Sequence, residues 1–329
     1  WARKGVNGAI VNLEGTGGVN DTHVVEVPPG KSTNPERHMY EEMVYVLSGR
    51  GATTVWYDEK EKQTFEWGTG AVFAIPLNAW SQHHNGSGTE SMRFMSVTNL
   101  PTIMNTFHND EFIFDNPFVF KDRFTGENGY FDGSGKMHKK RIWETNFVPD
   151  VRSTKLYSWA ERGAGGTNIF LELAHNSMGA HISQFPVGTY KKGHRHGPGA
   201  HVIILGGHGF SLLWKDGVER VKADWKPGSL VVPPEHWFHE HFNSGTEPAR
   251  YLALRFTGRT FMQAGSYSGA EGADVSVKDG GWQIEYEDED AEIHQLFEAE
   301  LAAHGATCRM KNLVSTCTGV PGPTLAGAD

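Results

Sequence analysis

Cysteine is almost missing from this 329-residue chain: Cys308 and Cys317, both near the C-terminal end, are the only two. A disulfide framework is therefore not expected to hold the fold, and the cytosol (a cytoplasmic location) is the default compartment. Together with His304 the two cysteines match no standard metal-ligand spacing. Long apolar runs are also lacking; no window approaches 18 residues, so no membrane-spanning helix is expected. Basic residues are in deficit, 30 Lys and Arg against 39 Asp and Glu, for a formal net charge of −9. That balance argues against a nucleic-acid or anionic-membrane partner. There is no Ser/His/Asp order, no Gly-rich phosphate loop and no Cys-x-x-Cys, which removes support for hydrolase, nucleotide-binding and zinc-finger readings. The first residue is Trp1, so a processed or truncated start is left open.

What the chain has in abundance is glycine, 40 residues, alongside 38% apolar and 12% aromatic residues. This composition suits β-structure with many turns and a real core. Self-comparison shows an internal repeat at an offset of 158, the distance from Glu36 to His194. Arg37-His38 matches Arg195-His196, Trp56 matches Trp214, Trp67 matches Trp225, Gly70 matches Gly228, Pro76 matches Pro234, and His83 and Asn85 match His241 and Asn243. The chain is a duplicated domain. Each copy reads as short strands broken by glycine turns, as in a sandwich or barrel. The fold class expected is all-β, with residues 1–100 and 166–260 as the two barrels. Residues 101–165 form a Phe-rich connection packing outside a barrel, and 261–329 an extension with a helix at about 290–304, its tail mobile from Thr318. Ile293, Leu296, Phe297 and Leu301 share one face of that helix, and Gly305 stops it.

The candidate chemistry lies in Lys191-Lys192-Gly193-His194-Arg195-His196 and in Pro234-Glu235-His236-Trp237-Phe238-His239-Glu240-His241. Side chains two apart on a strand share a face, so His194 and His196 converge and His239 can complete a cluster. Imidazole suits iron, zinc, copper and nickel. Arg195, between the two histidines, should point away.

These residues resemble the motifs of the cupin superfamily, G-x5-H-x-H-x(3,4)-E-x6-G and G-x5-P-x-G-x2-H-x3-N. The second copy carries them at His194, His196, Gly228, Pro234, His239 and Asn243; the first at Glu36, His38, Glu42, Gly49, Gly70, Pro76, Ser81 and Asn85. The resemblance covers about residues 24–258 and implies a bicupin: two tandem double-stranded β-helix (jelly-roll) barrels with a few peripheral helices. In the first copy Ser81 replaces the second-motif histidine, with His83 a possible substitute; a degenerate barrel kept for structure is the alternative. In the second copy Ala200 stands at the glutamate position, and a bulge at Gly197-Pro198-Gly199 would turn His201 inward as a fourth ligand.

Neutral imidazoles alone leave a divalent ion its full charge, which favours anionic, bidentate substrates. Among cupins this is similar to the gentisate, hydroxynaphthoate and salicylate class of ring-cleaving dioxygenases, and to diketone dioxygenases. The implied activity is an Fe(II) dioxygenase (an oxidoreductase) using dioxygen to cleave a C–C bond in an aromatic or enolisable hydroxy-acid. Mn(II), Zn(II), Ni(II) or Cu(II) are the alternative metals. His194, His196, His239 and His201 are the candidate ligands. Gln184, Tyr190, Trp214, His241 and Arg255 are candidates to line the site and hold substrate, with Asn243 beside them. The competing readings are a metal-dependent lyase, decarboxylase or isomerase, and a non-catalytic small-molecule-binding bicupin. The family also implies a homo-oligomer.

Overall fold

The computed structural model describes residues 1–138, 141–197, 200–256 and 274–323. The first half contains β1 (Asn7–Ile10), β2 (Asp21–Val27), β3 (Glu42–Ser48), β4 (Arg50–Trp56), β5 (Gln63–Gly68), β6 (Val72–Ile75), β7 (Trp80–Asn85) and β8 (Met92–Thr98). Two short helices follow, α1 (Leu100–Phe107) and α2 (Asp110–Phe114), then β9 (Gly135–His138), β10 (Ile142–Thr145), β11 (Phe147–Val148) and β12 (Tyr157–Ser158). The second half contains β13 (Thr167–Glu172), β14 (Met178–Phe185), β15 (His201–Gly206), β16 (Gly209–Trp214), β17 (Val221–Trp225), β18 (Leu230–Val231), β19 (Phe238–Asn243) and β20 (Ala249–Phe256). The last helix is α3 (Ala291–Ala303).

The duplication reappears in the sheets. The order β2-β8-β3-β6 in one sheet has its counterpart β14-β20-β15-β18 in another, and β5-β4-β7 has β17-β16-β19. Each half is thus a larger sheet facing a three-stranded one, the all-β two-barrel architecture expected. Glycine makes one close approach possible in both copies. A Cβ on Gly51 would lie 2.2 Å from the His84 carbonyl, and one on Gly209 1.9 Å from that of Phe242. No larger residue fits where β4 lies against β7, or β16 against β19, without displacing the partner strand.

The connecting segment does more than pack outside a barrel. Its β11 pairs with β6 of the first half, whereas β9, β10 and β12 extend the large sheet of the second. Phe124, Tyr130, Phe131 and Phe147 are buried in the first core, while Phe118 stays exposed. That core runs into the second half through Ile169, Leu171, Ala180, Ile182, Ile203, Leu252 and Leu254. The opposite face of the same strands carries Phe185, Val202, Ile204, Ala249, Tyr251 and Ala253 into the second barrel's interior. The period-two alternation therefore sorts each strand into a barrel face and an inter-barrel face.

α3 lies within the expected 290–304 and is capped by Asp290, whose carboxylate accepts from the Glu292 amide at 3.0 Å. Its Ile293, Phe297 and Leu301 pack on Tyr190, Phe210 and Phe242, on the outside of the second barrel. The chain before it, at Trp282–Ile284, runs alongside the strand of His194: the Arg195 amide donates to Trp282 and the Ile284 amide to Gly193. Part of the expected extension, 257–273, and the end of the tail, 324–329, lie outside the described residues, as do Pro198 and Gly199 of the expected bulge.

Candidate metal centre

His194 bridges His239 across the small sheet of the second barrel, and His196 follows on the same face. Ring nitrogens of His194, His196 and His239 all lie within 4.8 Å of one another. The three Nδ1 atoms each meet a backbone carbonyl: His194 that of Lys192 at 3.0 Å, His196 that of Gly197 at 3.1 Å and His239 that of Trp237 at 3.2 Å. A carbonyl only accepts, so each Nδ1 carries the proton and each Nε2 keeps its lone pair for the centre. Backbone carbonyls hold metal-binding histidines in this way. Burial, reinforced by neighbouring positive groups, holds His194 and His196 well below the ordinary histidine range; burial pushes His239 down to about 4. All three are neutral at pH 7, the form that binds a divalent ion. The donor set fits such an ion.

Among the described residues no carboxylate belongs to this group. Its surroundings are cationic instead. Arg162, Lys191 and Arg255 are 5%, 1% and 6% exposed, and the charges of Arg162 and Arg255 depress the histidines. Arg162 pairs with Asp274 at 3.1 Å, and Lys191 Nζ donates to the Tyr251 hydroxyl at 3.0 Å. Arg162 and Lys191 were not anticipated. Arg162 comes from the connection, outside the repeat, so no alignment of the copies reveals it.

The other expected residues divide between the two faces. His241 stands beside His239, ring centres 5.7 Å apart, with Nδ1 2.7 Å from Ser211 Oγ. Arg255 shares the inward face of β20 with Ala253 and Tyr251. Tyr190 points the other way. It bridges Phe242 whereas His194 bridges His239, so four steps on one strand oppose three on the other. The extra residue is a bulge that reverses the alternation. Lys191 therefore faces inward and Tyr190 packs under α3, donating to Glu289 at 2.8 Å. Trp214 is also on the outer face, stacked on Phe238 at 5.7 Å. Gln184 accepts from Arg250 at 3.1 Å on the inter-barrel face of β14. His201 pairs with Leu254 on that same face and is not in the histidine group. Asn243 donates to the carbonyls of Pro186 and Glu247, at 3.1 and 2.8 Å, tying strand to loop.

The first barrel brings together Glu36, His38 and Glu42, all buried. His83 is absent from the group: its Nδ1 bonds Thr53 Oγ1 at 2.8 Å, which also accepts from Trp67 Nε1 at 2.8 Å. His241, Ser211 and Trp225 repeat this chain at the same offset. A cation already sits among the carboxylates. The ammonium of Lys4 is ion-paired to Glu36. Although burial opposes it, the charges of Glu42 and Glu36 raise the Lys4 pKa. Against the desolvation of full burial, Lys4 and His38 hold the Glu42 carboxyl well below the usual range.

Comparison with known proteins agrees with the strand order. Residues 23–98 match the family model described as the cupin domain. The first barrel is a cupin domain. The second copies its strand order. Among solved structures, the chain resembles a tryptophan-to-tyrosine variant of oxalate decarboxylase from Bacillus subtilis, with 14% identity and a TM-score of 0.48 over 73% of this chain and 69% of that one. An arginine-to-alanine variant of the same enzyme gives 14% and 0.47 over the same shares. A structure of the Bacillus subtilis enzyme whose description concerns its Mn(II) centres gives 15% and 0.47, again over 73% and 69%. No curated protein matches the chain.

Proposed function

We propose that the second barrel of this chain is a divalent-metal catalytic centre for a small organic anion. The reading rests on one observation: three neutral imidazoles meet with no carboxylate among them in the described residues, near buried Arg162, Arg255 and Lys191. His194, His196 and His239 would hold the ion, which supplies Lewis acidity and, as iron(II), access to dioxygen. The ion's charge is left uncancelled by its ligands, so a two-point anionic substrate is favoured there. A guanidinium can grip a carboxylate through two parallel hydrogen bonds, the role assigned to Arg255 and Arg162. Lys191 and Tyr251 form a hydrogen-bonded pair on the inward face.

The reaction proposed is oxidative C–C cleavage of an aromatic or enolisable hydroxy-acid by the iron(II) form. The test is to strip the protein of metal and reload it anaerobically with iron(II), manganese(II) or zinc(II). Hydroxy-acids, diphenolic acids and dicarboxylates are then offered with and without oxygen. Iron-dependent oxygen uptake, abolished in His196→Ala, is the expected result. Product formed at equal rate without oxygen assigns the centre to a lyase, decarboxylase or isomerase. Ligand binding without turnover under any metal overturns the catalytic reading.

A further inference from the structure

The C-terminal extension gathers a separate set of donor atoms, on the outside of the second barrel. α3 presents His294 and Glu298 four residues apart, hence on one face. The chain beyond the helix returns Cys308 and Cys317 to the same place. Donor atoms of all four lie within 4.8 Å of one another; His294 and both cysteines are buried. His294 Nε2 is 3.9 Å from Cys308 Sγ and 3.5 Å from Glu298 Oε1, and the two sulfurs are 3.1 Å apart. Tetrahedral zinc, with Zn–S of about 2.3 Å and Zn–N and Zn–O of about 2.1 Å, sets these edges at about 3.6, 3.4 and 3.8 Å. The first two agree to a few tenths of an ångström. The sulfurs need to part by about 0.7 Å, whereas a disulfide needs them at about 2.05 Å.

The hydrogen bonds around the group have the polarity of ligand support. Tyr190 gives its hydroxyl proton to Glu289 and stands 3.1 Å from His294 Nδ1. That hydroxyl oxygen can only accept from the ring, so the proton is on Nδ1 and the Nε2 lone pair faces the sulfurs and Glu298. Glu298 Oε1 accepts from the Thr318 amide at 2.7 Å and its hydroxyl at 2.9 Å, which fixes the carboxylate. A cation between the ring lone pair and the carboxylate would replace the thiol protons that face them and be bound by both. These are the outer-shell contacts that orient metal ligands. The ring nearest in sequence to the cysteines, His304, bonds the Glu300 carbonyl instead.

We infer that Cys308, Cys317, His294 and Glu298 bind a structural zinc(II) ion that clips the C-terminal segment to α3. Soft thiolates with one imidazole suit zinc. Binding forms two Zn–S bonds and releases two thiol protons, with no change of oxidation state. The ion holds down the same extension whose Trp282–Ile284 run lines the His194 strand.

The test uses the full-length protein purified under reducing conditions. One zinc equivalent is expected that a mercurial thiol reagent releases, after which limited proteolysis cuts within residues 306–323. Replacing zinc by cobalt(II) is expected to give a near-ultraviolet thiolate-to-cobalt charge-transfer band. His196→Ala leaves that band, because the barrel centre has only nitrogen donors, and Cys317→Ser reduces it by about half. If Cys317→Ser fails to fold, the wild-type cobalt spectrum decides. A Cys308–Cys317 disulfide in protein alkylated at lysis, or reduced protein giving no charge-transfer band, overturns the inference, and neither result bears on the barrel centre.

Discussion

Removing the ammonium of Lys4 tests whether the first barrel carries its own cation in place of a metal ion. Lys4, Glu36, His38 and Glu42 are all buried, and Lys4 is the cation paired with the two carboxylates. Lys4→Met keeps the length of the side chain and removes its charge. Two buried carboxyl groups then face His38, whose Nε2 lies 3.1 Å from Glu42, and the more distant His23, with no ammonium between them. Breaking one side of a buried pair costs about 3–5 kcal/mol. At roughly 2–4 °C per kcal/mol for a domain of this size, the melting temperature should fall by about 6–20 °C. The sign of the pH dependence follows from linkage. Without Lys4 the carboxyl pKa values in the folded protein rise, so the folded state binds more protons than the unfolded one. The deficit should be small near pH 5 and grow towards pH 8. Thermal melts across that range, with chelator and with added manganese(II) or zinc(II), give the assay. The variant should recover most of the loss with metal and bind one equivalent more than the wild type. Melting within about 2 °C of wild type at pH 8 in chelator, with no added metal bound, would refute the reasoning.

His201→Leu should leave the metal content of the second barrel unchanged and stabilise the fold by about 1–3 kcal/mol. Neither ring nitrogen of His201 has a hydrogen-bond partner among the described residues, and burial pushes the ring down to about 4. The unfolded chain binds that proton first, so the wild type loses stability as pH falls from about 6.5 to 4 and the variant should lose less; metal loss in His201→Leu would show it to be a ligand. Burial and the charge of Glu289 push the Glu240 carboxyl well above its ordinary value. Glu240→Gln, which mimics the protonated acid, should melt within a degree or two of wild type at pH 6 and gain on it as pH rises; a loss of over about 2 kcal/mol at pH 7 would contradict this. Arg255→Gln should raise KM for a carboxylate substrate roughly ten- to a hundredfold, the value of a charged hydrogen bond, with a smaller change in kcat. Equal KM would remove Arg255 from substrate binding.

The sequence made the duplication legible because glycine, proline and tryptophan positions are set by backbone geometry and core shape, which both copies share. It made the histidine pair legible for a similar reason: His-x-His on a strand has one geometric outcome. Tyr190 shows where that logic stops. Counting twos back from His194 puts it inside, and a single bulged residue, which no residue type announces, moves it outside and brings Lys191 in. His201 and Gln184 failed on a different point: alternation says that neighbours face opposite ways but not which face is the barrel. Here both faces of β14, β15 and β20 are buried, one in the barrel and one against the other half, so polarity gives no warning. Lys4 and Arg162 lie outside the repeated strands, and only tertiary placement brings them to the two sites.

The comparison of the two barrels separates what the fold requires from what each site does. Both keep a tryptophan that donates to a hydroxyl bonded to a histidine, Trp67–Thr53–His83 and Trp225–Ser211–His241. Both keep an asparagine clamp, Asn85 on Glu90 and Asn243 on Glu247, each at 2.8 Å. Features retained in both barrels, whose ligand groups differ, are explained by packing and hydrogen bonding alone, so they carry no argument for catalysis. The differences do. In the first barrel two carboxylates and an ammonium balance one another internally. In the second, the ring donors are neutral and carry no carboxylate among them in the described residues, and Arg162, itself paired with Asp274, stands near them with Arg255. An ion held by such neutral donors keeps its full charge, and that contrast with the self-balanced first barrel is what favours an acidic ligand in the second.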